Sequence, residues 1–248
     1  MEKKPKIVVI FLAYNASKTL AKFYNEFPKD LTKNIILVDD ASKDNTFIIA
    51  KRLGIKSYQN PINLGYGGNM KRALNLAIQA GADIIIDIHP DGEYKPSAIP
   101  DAIVAINKGA DFVLGNRFTS IDNLLKSGMY FWKIIPIKLL NVLDQIILGV
   151  KVDDLHQGFR VYTKKMLEQV NFDTNSNDYL FSFEIIAQSA FNKIKIVQVP
   201  VETNYTGKKR GASLKNSIKY SVGTFKILVM FILAKMGRQV ALFTQKAK

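Results

Sequence analysis

Short runs rich in Ile and Val recur along the chain, at Ile7–Ala13, Ile35–Val38, Ile84–Ile88, Phe112–Leu114 and Ile194–Val199. Runs of this kind without strict alternation mark strands that are covered on both faces. Between them, apolar positions repeat at helical spacing over Thr19–Phe27, Thr46–Leu53, Met70–Ala80, Ile99–Asn107, Tyr130–Leu148 and Phe181–Asn192. Gly54, Gly81 and Gly109 stand where helix ends call for a left-handed residue, and Ser97 where a helix start calls for a capping hydroxyl. Strands alternating with helices of this length predict an α/β fold, a mostly parallel sheet flanked by helices. Ligands of such sheets bind beyond the carboxyl ends of the strands. Tyr14 and Asn15, Asp39 and Asp40, His89 to Glu93, and Asn116 with Arg117 occupy those places.

The stretch Ser213–Lys235 is of another kind. At 100° per residue Lys215, Lys219 and Lys226 fall within roughly 40° of one another. Leu214, Ile218, Val222, Phe225, Val229 and Ile232 form the adjacent stripe, and from Ile227 onward the pattern is apolar nearly all round. A basic amphipathic helix of this kind suits the headgroup region of an anionic membrane. It suits equally a helix docked on the core with its lysines in water, or one covered by a partner chain, which leaves room for a homo-oligomer.

Composition narrows the field. At 248 residues the chain fits one large domain, or one domain with an appendage. With 48% hydrophobic and 23% charged residues it can build a sizeable core. The absence of Cys excludes disulfide scaffolds, thiolate metal sites and cysteine nucleophiles, and His89 and His156 are the only histidines. The net charge is +14, and ten of those charges come from the stretch after Glu202, which has ten Lys/Arg and no acidic residue. This single shift in composition divides the chain into a domain at 1–206 and a basic amphipathic segment at 207–248.

Such a tail points to anionic lipid, nucleic acid or phosphorylated substrates. Its cations are not interleaved with aromatics as a nucleic-acid stacking platform requires, so nucleic acid is not expected. Ile7–Ala13 is a poor signal peptide, and Ile227–Ala234 falls far below the ~20 residues of a spanning helix. The expectation is a cytoplasmic protein, peripheral on the cytoplasmic face of the membrane.

Three segments carry candidate chemistry. Asn63-Leu64-Gly65-Tyr66-Gly67-Gly68-Asn69 precedes Lys71 and Arg72, so backbone N–H groups, a helix dipole and two cations suit a phosphate there, or else the glycines merely turn the chain into a helix. Asp87, His89 and Asp91 share one face if extended, and with a diphosphate they suit Mg²⁺ or Mn²⁺. The alternative is that Asp87 belongs to a polar network at the strand end. Asp153-Asp154-Leu155-His156-Gln157-Gly158-Phe159-Arg160 places an imidazole beside two acids, which suits a base, a metal ligand or a phosphate contact, or plain loop structure.

Taken together, these segments resemble family-2 glycosyltransferases of the GT-A (Rossmann-like) fold, in the dolichol-phosphate-mannose-synthase-like branch. The resemblance rests on Ala13-Tyr14-Asn15, Val38-Asp39-Asp40-Ala41-Ser42-Lys43-Asp44-Asn45-Thr46, the Asn63–Asn69 segment, Asp91-Gly92-Glu93-Tyr94, Gly115-Asn116-Arg117 and Gly158-Phe159-Arg160-Val161-Tyr162. They stand in the family's order and cover about residues 6 to 206.

The resemblance implies a transferase that moves a sugar from a UDP- or GDP-linked donor to a polyprenyl phosphate or another membrane-associated glycan, with Mg²⁺ or Mn²⁺ and inversion at the anomeric carbon. Tyr14, Asn15, Asp39 and Asp40 would border the nucleotide, and Gly65, Gly67 and Lys71 the donor sugar. The family's Asp-x-Asp metal motif falls on His89-Pro90-Asp91, so His89 stands at the first Asp. That departure keeps a catalytically impaired sugar-nucleotide-binding protein in view, with a basic nucleic-acid-binding module as the remoter alternative. Arg117 matches an arginine that contacts the acceptor phosphate, and His156 and Arg160 lie beside it in the acceptor region. Asp91 and Arg117 would serve catalysis directly, with Asp154 as the base if the acceptor is a hydroxyl.

Overall fold

The computed structural model describes residues 4–119, 131–204 and 214–244. Seven strands, β1 (Ile7–Ala13), β2 (Ile35–Asp39), β3 (Lys56–Gln59), β4 (Ile84–Asp87), β5 (Phe112–Asn116), β6 (Arg160–Thr163) and β7 (Ile196–Pro200), form one sheet in the order β3-β2-β1-β4-β6-β5-β7. Only β6 runs against its neighbours, antiparallel to both β4 and β5. The helices are α1 (Leu20–Glu26), α2 (Thr46–Arg52), α3 (Gly65–Gln79), α4 (Ile99–Asn107), α5 (Phe131–Leu148), α6 (Lys164–Gln169), α7 (Phe181–Phe191) and α8 (Leu214–Lys235). This is the expected α/β architecture.

The apolar runs become central strands because both sides of the sheet are covered. Along β1, Val8, Ile10 and Leu12 join the core beneath α3, α5, α7 and α8, while Val9, Phe11 and Ala13 join the core beneath α1, α2 and α4. A strand buried on both faces gains from apolar residues at every position, which removes the alternation of a half-exposed strand. Gly54, Gly81 and Gly109 take the left-handed backbone expected of them. Ser97 does not cap α4. It lies inside a 3₁₀ turn at Pro96–Ala98, and Ala98 precedes the helix without a side-chain cap.

The apolar runs did not announce β3 and β6. Lys56-Ser57-Tyr58-Gln59 is a polar edge strand, and Arg160-Val161-Tyr162-Thr163 opens on a buried charge. Helix α3 also begins at Gly65, five residues before the predicted Met70, so the glycine-rich stretch is helix rather than loop.

Part of the C-terminal segment packs into the core. Ile227, Leu228 and Phe231 of α8, with Leu242 and Phe243 beyond it, are buried in the same core as Met70 and Phe183. The amphipathic stripe foreseen on this helix faces outward: Ile218, Val222, Phe225, Val229 and Ile232 are all exposed. Over Asn216–Lys235 the helix is also long and apolar enough to cross a membrane, with a mean hydropathy of 1.5, a length that the uninterrupted run Ile227–Ala234 understated. The boundary at 206/207, the Lys208-Lys209-Arg210-Gly211 segment, Tyr130, Lys246 and Lys248, and the side chains of Leu214 and Lys215 lie outside the described residues.

Candidate active site

β2, β1 and β4 are adjacent and parallel, so their carboxyl ends open onto one edge of the sheet. The chain leaves β1 through Tyr14, half exposed, and Asn15, which adopts φ 53°, and it leaves β2 through Asp40 and Ala41, the latter at φ 55°. Left-handed backbone at two non-glycine residues on neighbouring strand ends is costly, and it is held here by side chains. Asn15 N–H donates to Ser42 Oγ at 2.8 Å, and Asn15 Oδ1 accepts from Lys43 N–H at 2.9 Å. Asp39, fully buried, accepts from the Ser42 hydroxyl and from Gln59 Nε2 at 2.9 Å.

The neighbouring Asp40 has structural duties. Its Oδ1 accepts from Asn60 Nδ2 at 2.7 Å and from Leu64 N–H at 2.8 Å, and Asn60 also donates to Asn69 Oδ1 at 2.9 Å. Asp40 thereby fixes the start of α3. The N–H groups of Gly67 and Gly68 are taken by the carbonyl of Asn177, at 2.8 and 3.3 Å, and Lys71 Nζ donates to Asn177 Oδ1 at 2.9 Å. A Cβ on Gly67 would lie 2.1 Å from Ser176 O, and one on Gly65 would lie 2.5 Å from Asn177 O. These glycines admit the 176–178 loop against α3, which gives the turn a packing role. Arg72 is likewise committed, donating to Gln59 O at 2.9 Å and to Asn60.

At the end of β4 the chain places Asp87, fully buried, then His89, which is about one-fifth exposed, then exposed Asp91, whose Oδ1 accepts from Glu93 N–H at 2.9 Å. His89 Nε2 lies 3.5 Å from Asp87 Oδ1, and Arg160 Nη1 lies 3.9 Å from Asp87 Oδ2. Burial pushes the His89 imidazole toward its neutral form, but Asp87 and then Asp91 outweigh it and raise its pKa above the ordinary value. Burial pushes the Tyr66 phenol up to about 12, so it stays protonated; its ring lies edge-on to His89, and its oxygen accepts from Ser182 Oγ at 3.1 Å.

Because β6 is antiparallel, its first residues come to this same edge. Asp87 pairs with Arg160 in the β4–β6 register, and the loop before β6 delivers Asp154 and His156 beside Arg117 at the end of β5. Asp154, fully buried, grips Arg117 with both oxygens, Oδ2 accepting from Nε at 2.7 Å and Oδ1 from Nη2 at 2.8 Å; Oδ2 also accepts from the Arg117 N–H at 3.0 Å. Both oxygens of Asp154, the residue expected to act as base on a hydroxyl acceptor, are thus engaged by Arg117. Both nitrogens of His156 are engaged as well, Nε2 with Asp144 Oδ2 of α5 at 2.7 Å and Nδ1 with the Tyr220 hydroxyl of α8 at 3.1 Å. His156 therefore ties the loop to two helices. The pairing of Arg117 with Asp154 and the Asp144–His156–Tyr220 chain were not legible beforehand, since Arg117 and Asp154 are 37 residues apart, His156 and Tyr220 are 64 apart, and Asp144, 12 residues from His156, lies in a helix outside any motif.

Both oxygens of Asp87 and Nε2 of His89 are buried without a hydrogen-bond partner. Among the described residues no group of three or more His, Asp or Glu side chains stands ready to hold a metal ion. Of the groups at this edge, the imidazole of His89 and the carboxylate of Asp91 are of the types that ligate Mn²⁺ or Mg²⁺.

The edge of this mixed sheet thus gathers acidic and imidazole groups with two buried arginines, Arg117 and Arg160. The chain belongs to glycosyl transferase family 2, whose family model matches residues 8–170, and it is an enzyme of that family. It is 29% identical to the UDP-N-acetylglucosamine–dolichyl-phosphate N-acetylglucosaminyltransferase of Methanococcus voltae, over 94% of this chain and 97% of the relative. It is 22% identical to the polyprenol monophosphomannose synthase of Mycolicibacterium smegmatis, over 94% of this chain and 89% of the relative. The fold matches glucosyl-3-phosphoglycerate synthase from Mycobacterium tuberculosis, solved with Mn²⁺, UDP and its product, with a TM-score of 0.68, 17% identity, and coverage of 96% of this chain and 82% of that one. The expected GT-A fold is thus the observed one.

Proposed function

We propose that the protein transfers a hexosyl group from a UDP- or GDP-linked donor to a polyprenyl phosphate at an anionic membrane surface, with inversion at the anomeric carbon. The observation that carries this reading is the commitment of Asp154 to Arg117. A hydroxyl acceptor needs a base to take its proton, whereas a phosphate monoester arrives already ionised and attacks without one. With Asp154 spent on Arg117, the phosphate is the acceptor that this site suits. The names of two relatives, which act on dolichyl phosphate or make a polyprenol monophosphomannose, agree with it.

In this reading Tyr14, Asn15 and Asp39 border the nucleotide at the ends of β1 and β2. His89 and Asp91 would hold Mn²⁺ or Mg²⁺ for the donor diphosphate. The cation supplies charge stabilisation to the leaving group as the glycosidic bond breaks. Arg117, fixed by Asp154, lends positive field to the acceptor phosphate, and Arg160 does the same from the start of β6.

The lipid chain needs an apolar neighbour, and α5 and α8 supply one. Ile135, Leu139, Val142 and Ile146 of α5 are exposed, as are Val222 and Phe225 of α8, with exposed Lys219 and Lys226 on the same helix. His156 joins these two helices directly to the loop that holds Arg117.

The test is transfer by the purified full chain from radiolabelled UDP- and GDP-sugars to polyprenyl phosphate in vesicles, beside a soluble glycan acceptor. A product lipid that releases its sugar in mild acid is the expected result. Transfer to the glycan hydroxyl alone would overturn the phosphate reading.

A further inference from the structure

Asp87 has no part in the family motif that falls on His89-Pro90-Asp91, yet its carboxylate lies against the His89 ring. It is fully buried, Arg160 Nη1 is its nearest cation at 3.9 Å, and neither of its oxygens has a hydrogen-bond partner. His89 Nε2 points at it from 3.5 Å and is itself a buried orphan. The two nitrogens of an imidazole diverge, so a ring whose Nε2 faces Asp87 turns Nδ1 away from it.

We propose that Asp87 is a positioning residue that accepts the Nε2–H of His89 and thereby presents the bare Nδ1 lone pair as a nitrogen ligand to the cation, making the site selective for Mn²⁺ over Mg²⁺. This rests on the donor-site reading above. A buried carboxylate behind a metal-binding histidine fixes the ring and its tautomer and raises its basicity as a ligand, and losing such a partner typically weakens metal binding by about 10- to 100-fold. Mg²⁺ takes oxygen ligands almost exclusively, while Mn²⁺ accepts imidazole. Exchanging the usual carboxylate for His89 also removes one negative charge from the site, which disfavours the harder ion further.

The chain contains only two histidines, so the ring can be read directly. In the wild-type chain labelled with ¹⁵N-histidine, comparison with His89→Gln assigns the signals, and at a pH above the raised His89 pKa, where the ring is neutral, the expected spectrum is Nε2 protonated and Nδ1 bare in the presence of UDP or GDP. The opposite tautomer overturns the proposal without any mutation of Asp87. With Mn²⁺ and the same nucleotide, pulsed electron paramagnetic resonance should show a directly coordinated ¹⁴N in the wild type that is lost in His89→Gln. Asp87→Asn should bind Mn²⁺ about 10- to 100-fold more weakly, narrowing the preference over Mg²⁺.

Metal-dependent nucleotide binding with no coordinated nitrogen, or with Mn²⁺ affinity unchanged in Asp87→Asn, would overturn this inference and leave the donor site standing. Absence of nucleotide binding under every metal condition would overturn both.

Discussion

Asp154 is the residue whose role changed most between sequence and structure. Beside His156 it reads as a base; in the fold it is a buried clamp on Arg117. Asp154→Asn separates the two roles. Loss of a base lowers kcat by about 10²- to 10⁴-fold with little change in KM. Loss of a clamp raises KM for the lipid phosphate and lowers stability, since removing one member of a buried ion pair costs about 3–5 kcal/mol. The second outcome is expected, and steady-state kinetics with a thermal melt decides.

Asp44 is exposed but collects N–H and hydroxyl donors, accepting from Thr46 N–H at 3.0 Å, from the Thr46 hydroxyl and from Ser17 N–H at 3.1 Å. Burial acts to raise its pKa, but the hydrogen bonds outweigh it and lower the value from 3.8 to about 2. A depressed carboxyl stabilises the fold fully above its unfolded pKa and loses that effect as pH falls through the folded value. Asp44→Ala should therefore lower the melting temperature at neutral pH and flatten the decline between pH 3.8 and about 2, as read from melts across that range.

Among the elements, α3 shows how a glycine-rich segment misleads. Its N–H groups and cations suited a phosphate by type alone, but the N–H groups of Gly67 and Gly68 bond Asn177, and Lys71 and Arg72 are held by Asn177, Gln59 and Asn60. Gly67→Ala would place a methyl 2.1 Å from Ser176 O and 2.9 Å from Phe181 Cβ. Both obstacles sit on the segment leading into α7, so relief requires that segment to move. Overpacking of this kind costs about 1–3 kcal/mol, and the melting temperature should fall by several degrees. An unchanged melt would mean that the 176–178 loop yields freely.

For the molecule entire, the exposed faces of α5 and α8 set the expected membrane contact, and the buried face of α8 sets a limit on how it can be tested. Deleting the helix would strip Ile227, Leu228 and Phe231 from the core, so point substitutions are needed. Phe225→Glu and Ile146→Glu are expected to weaken binding to anionic vesicles at least tenfold while leaving the melt within a few degrees. Ile48→Glu, exposed on α2 at the other side of the sheet, should leave binding unchanged. Equal loss in all three, or loss in none, would remove α5 and α8 from the membrane contact.

The sequence by itself determined the central strands and the helices that flank them, because burial on both faces writes an uninterrupted apolar run and helical burial writes its own spacing. It also determined the family, through motifs spread in order from Ala13 to Tyr162, and the polar residues that leave β1, β2 and β4. Tertiary structure alone decided the rest. β6 carries too little apolar signal to be read as a strand, and nothing in a linear pattern states that it runs antiparallel. That reversal brings Arg160 opposite Asp87 and sets Asp154 against Arg117, turning a loop of candidate catalytic groups into partners already paired. Residue types declare what they can bind, but only packing decides which partner reaches them first.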